Sequence, residues 1–208
     1  TLQPIGEIID ACREREILVH VDATQAVGHV PVDPRELGID LLSFSAHRFG
    51  GPVGIGVLYI RQGLRLEPLL TGGDQERARR AGLENLAAAA ALGAVAAELD
   101  PTTITAEAEA SRALITDAVH RPHLACIAVA GVEPQGLVLG LDRRGIALHS
   151  GSSCASEGLE PSPVLEAMGV DADRSLRISV GHDSTPADID ALCAELPLVL
   201  GELRALGT

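Results

Sequence analysis

Residues 41–52 read LLSFSAHRFGGP, an apolar segment that ends in serine, histidine and arginine before a pair of glycines. The apolar run over Leu41–Ser45 predicts a buried β-strand, and the polar residues that follow it predict a loop. Ile17–Val21 repeats the form, because this β-branched run is followed at once by Asp22. Ligands of open α/β sheets gather at the carboxyl ends of strands. The two strand ends therefore predict a ligand site that includes Asp22 and His47.

Helical patterns alternate with these strands along the first half of the chain. Pro4–Glu16 places isoleucines at helical spacing, Gly54–Ile60 is a third strand candidate, and the alanine-rich segment Leu83–Leu99 predicts a long helix. Such alternation is typical of an α/β fold. At Asp100–Thr103 a proline and two threonines interrupt the pattern, which indicates a domain boundary. We therefore predict a large α/β domain over residues 1–100.

The second half, residues 101–208, predicts a smaller α+β domain. Its candidate elements are, in chain order, the helix Ala106–Val119, the strand Leu124–Ala130, the helices Pro134–Asp142 and Pro161–Met168, the strand Leu176–Val180 and the helix Pro186–Leu203. For the last helix, Thr185 is a suitable N-cap, with Pro186 in the first turn and Asp188 three residues after the cap. This local signal predicts where the helix begins.

Composition limits the classes of partner. The chain has 46% apolar residues, which is ample for a core, and a formal charge of −13. An acidic surface argues against non-specific binding to nucleic acid or to an anionic membrane. The four cysteines are scattered without a C-x-x-C pair, which suits reduced thiols and predicts a cytoplasmic protein. No apolar run reaches the length of a membrane span, and no signal-peptide pattern opens the sequence.

Several residues have alternative interpretations from the sequence alone. His20 and Asp22 could share a metal ion, although their i, i+2 spacing on a strand supplies only two ligands. Asp22 could instead cap a helix that follows its strand. Residues 54–56, GIG, could belong to a nucleotide-binding domain, but they lack the full G-x-G-x-x-G pattern. Arg177, between two apolar neighbours, could be an ordinary surface-strand arginine.

Two short segments carry a family resemblance. Residues 45–52, SAHRFGGP, closely resemble the loop with which cysteine desulfurases hold pyridoxal phosphate, and residues 150–154, SGSSC, resemble the loop with their sulfur-accepting cysteine. Further matching segments follow in the family's order from Thr1 to about Leu203. The resemblance implies a class V aminotransferase fold of the type I pyridoxal-phosphate group, here as part of the large domain plus the small C-terminal domain. It also implies that the family's N-terminal portion lies outside these 208 residues.

The resemblance implies contacts between four residues and the cofactor. Asp22 would pair with the pyridinium nitrogen, where a carboxylate keeps the ring protonated and able to accept electrons. Gln25 would lie near the phenolic oxygen of the ring, and Ser45 and His47 would contact the phosphate. In the family a lysine that forms the Schiff base follows this histidine, whereas here the residue is Arg48. A guanidinium does not lose its proton in a protein and cannot form that bond, and the chain contains no lysine elsewhere.

The resemblance also implies a reaction and its partners. Cys154 would take sulfur from L-cysteine as a persulfide and leave alanine, while Arg177 would hold the substrate carboxylate. Family members are homodimers and can pass sulfur to an acceptor protein. A family threonine that helps to bind the phosphate of the neighbouring subunit is Leu83 here. Because Arg48 replaces the lysine, two interpretations stay open: a desulfurase-like protein, or a noncatalytic module for protein interaction or sulfur carriage.

Overall fold

The computed structural model describes residues 3–115, 123–151, 162–181 and 183–207. The chain divides into two compact units, which span Leu2–Ala108 and Glu109–Thr208 and are called the N-terminal and the C-terminal unit below. Within the described residues, no helix combines the length and the apolar composition that a membrane span requires.

The N-terminal unit contains a three-stranded sheet with helices before and after it. Its elements are, in chain order, α1 (Ile5–Arg13), β1 (His20–Asp22), β2 (Leu41–Ser45), a 3-10 turn (Ala46–Phe49), β3 (Gly56–Ile60), α2 (Gln75–Ala78), α3 (Leu86–Ala97) and α4 (Pro101–Ile115), which continues into the C-terminal unit. Strand β1 runs parallel to β2, and β3 pairs with β2 in the antiparallel direction. The α/β class predicted from the sequence is confirmed.

Residue alternation along β1 and β2 separates an apolar face of the sheet from a polar one. Val21, Leu42 and Phe44 pack into one hydrophobic cluster, and α1 covers this cluster through Ile9, which is 2% exposed. Successive side chains of a strand point to opposite faces of the sheet. The polar residues between these apolar ones therefore lie on the other face, together at the carboxyl ends of the two parallel strands.

The C-terminal unit contains a second three-stranded sheet, in which both pairings are antiparallel and the strand order is β4-β6-β5. Its elements are β4 (Leu124–Ala128), α5 (Pro134–Asp142), β5 (His149–Ser150), α6 (Pro163–Ala167), a second 3-10 turn (Ala172–Arg174), β6 (Ser175–Ser179) and α7 (Pro186–Leu206). The centre of its core is formed by Leu137, Leu141, Leu176 and Val199, each at most 1% exposed. The helices α5 and α7 and the strand β6 supply these side chains.

The predicted start of α7 is confirmed. Thr185 is its N-cap and Pro186 follows in the first turn. The Oδ2 atom of Asp188 accepts hydrogen bonds from the amide nitrogen and the hydroxyl of Thr185, at 2.8 and 2.7 Å. These bonds to a carboxylate lower the pKa of Asp188 below its usual range.

Several predicted bounds are wrong. The segment before His20 is not part of β1, and α3 begins at Leu86 rather than Leu83, because the side chain of Asn85 caps it by accepting from the Ala88 amide at 3.1 Å. The helix predicted from Ala106 begins earlier, at Pro101, and Asp100 accepts hydrogen bonds from its first turn. By contrast, β2 and α5 have the predicted bounds.

Candidate functional site

Asp22 occupies the carboxyl end of β1 and lies opposite Ser43 in the parallel pairing with β2. Its Oδ1 atom accepts a hydrogen bond from the Thr24 amide at 2.9 Å. Hydrogen bonds from the hydroxyl and then the amide of Thr24 lower the pKa of the Asp22 carboxyl, and the nearby His20 adds a smaller effect in the same direction. The side chain is exposed. The site therefore offers an ionised carboxylate to a cationic ligand.

His20 lies on the same face of β1 as Asp22, because the two residues are separated by one position on the strand. The Nε2 atom of His20 lies 3.1 Å from the hydroxyl oxygen of Ser43 on β2. This hydrogen bond joins the two strands across the polar face, next to the carboxylate. Within the described residues, no group of three potential metal ligands is close enough to hold an ion. His20 and Asp22 therefore have no third ligand there for a shared metal ion.

Ser45 and His47 form a second polar pair at the end of β2. Ser45 is the last residue of the strand and its hydroxyl oxygen lies 2.9 Å from the Nδ1 atom of His47. His47 is exposed, whereas Ser45 is half-buried. The pair can donate one hydrogen bond to an anion: from Nε2–H of His47 when the Ser45 hydroxyl donates to Nδ1, or from the Ser45 hydroxyl when Nδ1–H donates to it.

The segment from Ala46 to Gly51, called the residue-48 loop below, leaves β2 as one 3-10 turn. Ala46 is fully buried, and its amide donates to the carbonyl oxygen of Ile55 at 3.1 Å. Gly50 ends the turn with a φ of +87°, a left-handed conformation that favours glycine. Gly51 then donates to the carbonyl oxygen of Ala46 at 2.9 Å, and a Cβ atom at position 51 would lie only 2.8 Å from the Ala46 Cβ. Gly50 is therefore favoured by its left-handed backbone, and Gly51 by its close packing against Ala46.

Arg48 is exposed in this turn. Within the part of the chain that the structure describes, its guanidinium makes no hydrogen bond or ion pair, although its carbonyl oxygen accepts a bond from His29 at 3.1 Å. Next to it, the ring of Phe49 packs at a tilt against the ring of Phe44, with 5.9 Å between the ring centres. The backbone of position 48 is thus held by its neighbours, and the side chain remains available to a ligand.

Gln25 lies in the turn that follows β1 and is half-buried. Hydrogen bonds from the amides of Ala26 and Val27 to the carbonyl oxygen of Ala23 close this turn. Gln25 therefore belongs to the same end of the sheet as Asp22. Its position as a contact to a cofactor ring stays a prediction.

The other two predicted site residues lie elsewhere in the chain. Arg177 is in β6 of the C-terminal unit, half-buried and opposite Cys126 on one side and His149 on the other. Cys154 falls outside the described residues. The structure thus brings five predicted residues together at one end of the first sheet: Asp22, Gln25, Ser45, His47 and Arg48.

Sequence reasoning missed two contacts of this site. The sequence alone assigns no contact to Ser43, although strand alternation places it on the same face as Ser45. The pairing of β1 with β2 then puts Ser43 opposite Asp22. The contact of His29 with Arg48 joins residues 19 positions apart, and no local pattern predicts it.

Comparison with known proteins identifies the family of the chain. The profile of the family described as Aminotransferase class-V matches residues 1–120 and 106–192. The chain is 40% identical over 228 residues to the cysteine desulfurase IscS of Methanosarcina thermophila, and this alignment covers 98% of the chain and 55% of the relative. It is 38% identical over 224 residues to the cysteine desulfurase NifS of Azotobacter vinelandii, covering 98% and 56% respectively.

Solved structures of similar fold belong to the same family. A NifS-like protein from Rickettsia africae superposes with a TM-score of 0.82 at 28% identity, over 96% of this chain and 58% of that one. The cysteine desulfurase CsdA of Escherichia coli superposes with a TM-score of 0.80 at 26% identity, over 98% and 56%. The chain therefore spans little more than half the length of the curated relatives that it matches. From the profile match and these superpositions, the chain belongs to the class-V aminotransferase family.

Proposed function

We propose that this chain is a cysteine desulfurase-like protein that binds pyridoxal phosphate and acts on L-cysteine. In the overall reaction, the carbon–sulfur bond of L-cysteine breaks and a sulfur–sulfur bond forms at the thiol of Cys154. L-Cysteine and one protein thiol thus give L-alanine and one protein persulfide, which balances atoms and electrons without another oxidant. An acceptor protein would then take the sulfur.

The arrangement at the ends of β1 and β2 is the observation that carries this proposal. An ionised carboxylate at Asp22 lies in register with Ser43, and Ser45 and His47 follow at the end of the neighbouring strand. This donor set fits the cofactor, because a carboxylate suits the pyridinium nitrogen while a hydroxyl or an imidazole N–H suits the phosphate. When bound, pyridoxal phosphate supplies an electron-accepting ring that stabilises negative charge on the carbon of an amino acid.

Arg48 changes how the cofactor would be held. Its guanidinium is exposed and cannot form a covalent bond to an aldehyde at neutral pH. It can donate two parallel hydrogen bonds to a phosphate or a carboxylate. We therefore infer reversible, noncovalent cofactor binding, with Asp22 and Arg48 supplying opposite charges. Without a primary amine at this position, we expect slow turnover.

The substrate contacts belong to the same proposal. Arg177 would bind the carboxylate of L-cysteine through the fork of its guanidinium, and Cys154 would accept the sulfur. A thiolate is the reactive form of a cysteine, so Cys154 would attack the sulfur as its thiolate. Mass spectrometry after incubation with L-cysteine tests this: an added mass of sulfur is expected on wild-type protein and none on Cys154→Ser.

Equilibrium dialysis with pyridoxal phosphate tests the cofactor site. The wild-type chain should bind the cofactor without any side-chain adduct after borohydride treatment, because it contains no lysine. Asp22→Asn should weaken binding by about ten- to a hundredfold, since a hydrogen bond to a charged group contributes about 1.5–3 kcal/mol. Gln62→Ala, an exposed site after β3, is the matched control and should bind as wild type does. Equal affinity in the Asp22 and Gln62 variants, or no binding at all, favours the noncatalytic interaction module.

A homodimer in the cytoplasm completes the proposal. Leu69, Leu83 and Leu86 are 96%, 92% and 74% exposed in the N-terminal unit, and large apolar side chains at such exposure favour association. Light scattering should give the mass of a dimer, and Leu83→Thr together with Leu86→Gln should shift it towards the monomer.

The cysteines Cys12, Cys126 and Cys193 are free thiols, as is common in reducing compartments.

A further inference from the structure

The carbonyl oxygen of Arg48 accepts a hydrogen bond from the imidazole of His29. The distance from His29 Nε2 to this oxygen is 3.1 Å. A carbonyl oxygen can only accept, so the hydrogen must be on Nε2. His29 lies in the segment after β1, where its amide donates to the carbonyl oxygen of Ala26 at 2.9 Å.

The residue before this histidine packs against the next position of the same loop, Phe49. Gly28 has a φ of +81°, and a Cβ atom built on it would collide with the Cβ of Phe49. The backbone at 28–29 thus lies directly against the backbone at 48–49. Such an approach is possible only because position 28 has no side chain.

The residue-48 loop needs support from outside itself. A 3-10 turn has poorer hydrogen-bond geometry than an α-helix, and it ends at Gly50, which has no side chain to hold it in place. The guanidinium of Arg48 contributes nothing to its placement, because within the described residues it has no polar partner. The contacts that locate the backbone of position 48 therefore come from Ala46, Phe49 and His29.

We propose that His29 is a positioning residue, whose Nε2–H holds the backbone of position 48 so that the side chain there meets the cofactor at a constant place. This inference rests on the proposed function, because position 48 is the cofactor-facing position of that proposal. A displacement of about 1 Å at a reacting group can cost about a hundredfold in rate. Even a small shift of this turn would therefore reduce the reactivity of whatever side chain stands at position 48.

The absence of lysine from the chain makes the test specific. Arg48→Lys introduces one side-chain amine into the whole polypeptide. Two probes then measure its reactivity by peptide mass. Trinitrobenzenesulfonate needs no cofactor site, whereas the reaction with pyridoxal phosphate, trapped by borohydride, is faster at a cofactor site than at a free lysine amine. The rates are compared in Arg48→Lys alone and in combination with His29→Leu, His29→Gln or the control His149→Leu in the C-terminal unit. Glutamine retains a donor N–H, whereas leucine does not.

Loss of one neutral hydrogen bond corresponds to about fivefold in an equilibrium constant. In the Arg48→Lys background, we therefore expect the side-chain adduct with pyridoxal phosphate to form about fivefold more slowly when His29→Leu is added. His29→Gln should restore most of the rate and His149→Leu should not change it. In the otherwise unaltered chain, the amide NMR signals of residues 48–50 should shift with His29→Leu and return towards their wild-type positions with His29→Gln.

Two results would overturn the proposal: equal rates in all variants, or a glutamine variant as slow as the leucine variant. Failure of the proposed function looks different, because pyridoxal phosphate would then react with the introduced lysine no faster than with a free lysine amine in any variant. The trinitrobenzenesulfonate rates and the amide signals would still report whether His29 positions the turn. Circular dichroism of each variant verifies that the fold is retained.

Discussion

The Nε2 atom of His20 lies 3.1 Å from the hydroxyl oxygen of Ser43, across the polar face of the first sheet. Ser43 is also the residue opposite Asp22 in the strand register. The imidazole, the hydroxyl and the carboxylate thus occupy one corner where two parallel strands end. Asp22 supplies the negative charge of the candidate site at this corner.

The first prediction concerns the charge of Asp22. Its folded-state pKa lies below the ordinary value of 3.8, mainly because of the hydroxyl and amide of Thr24. A carboxyl whose pKa is lower in the folded state than in the unfolded state stabilises the fold. The stabilisation is complete at a pH above the unfolded-state pKa and is lost as the pH falls through the folded-state pKa. Thr24→Val should therefore raise the pKa of Asp22 and weaken the dependence of stability on pH below about pH 4. Carboxyl-carbon NMR titration measures the pKa; Thr71→Val, an exposed threonine, should leave it unchanged.

The second prediction compares two leucines of α5. Leu137 is fully buried, whereas Leu139 on the same helix is 60% exposed. Leu137→Ala should reduce the free energy of unfolding by about 2–5 kcal/mol, because it removes apolar contacts and leaves a cavity. Leu139→Ala should change it by less than about 1 kcal/mol. Urea unfolding measures both, and similar losses in the two variants would contradict the described core.

The third prediction compares two glycines inside helices. A Cβ atom at Gly140 would collide with Val199 of α7, whereas one at Gly93 in α3 would meet nothing within 4 Å. Gly93→Ala should stabilise the chain by about 0.5–1 kcal/mol, because alanine loses less entropy in a helix. Gly140→Ala should destabilise it by about 1–3 kcal/mol through overpacking between α5 and α7. Thermal unfolding shows whether each variant is more or less stable than wild type. A Gly140→Ala variant that is more stable would contradict the close packing of Gly140 against Val199.

The fourth prediction concerns the start of α7. Thr185→Ala removes the hydroxyl that donates to Asp188, and an N-cap lost in this way costs about 1 kcal/mol. The pKa of Asp188 should rise in the variant, because the Thr185 hydroxyl is the first cause of its lowering. Asp190→Asn removes a charge from the same helix without touching the cap and serves as control. If both variants unfold at the same urea concentration as wild type, the cap contributes nothing to stability.

Local patterns predicted the elements whose signals lie within a few residues. The bounds of β2 and α5 were predicted correctly, because an apolar run ends in polar residues in one case and a proline starts the helix in the other. The start of α4 was missed because Pro101 was interpreted as a breaker, although proline is also favoured in the first helical turn. The length of β1 was overestimated because a strand extends only as far as its partner, and the ladder with β2 begins at His20.

The amino-acid sequence by itself determined which chemical groups the site contains: a carboxylate at Asp22, a serine and a histidine after β2, and a guanidinium in place of an amine at position 48. These follow from residue identity and need no coordinates. Only the tertiary structure decided that His29 and Gly28 support the loop at Arg48 and Phe49. The physical reason is separation along the chain, because a contact between residues about 20 positions apart depends on the path of the backbone between them, which no periodic pattern records.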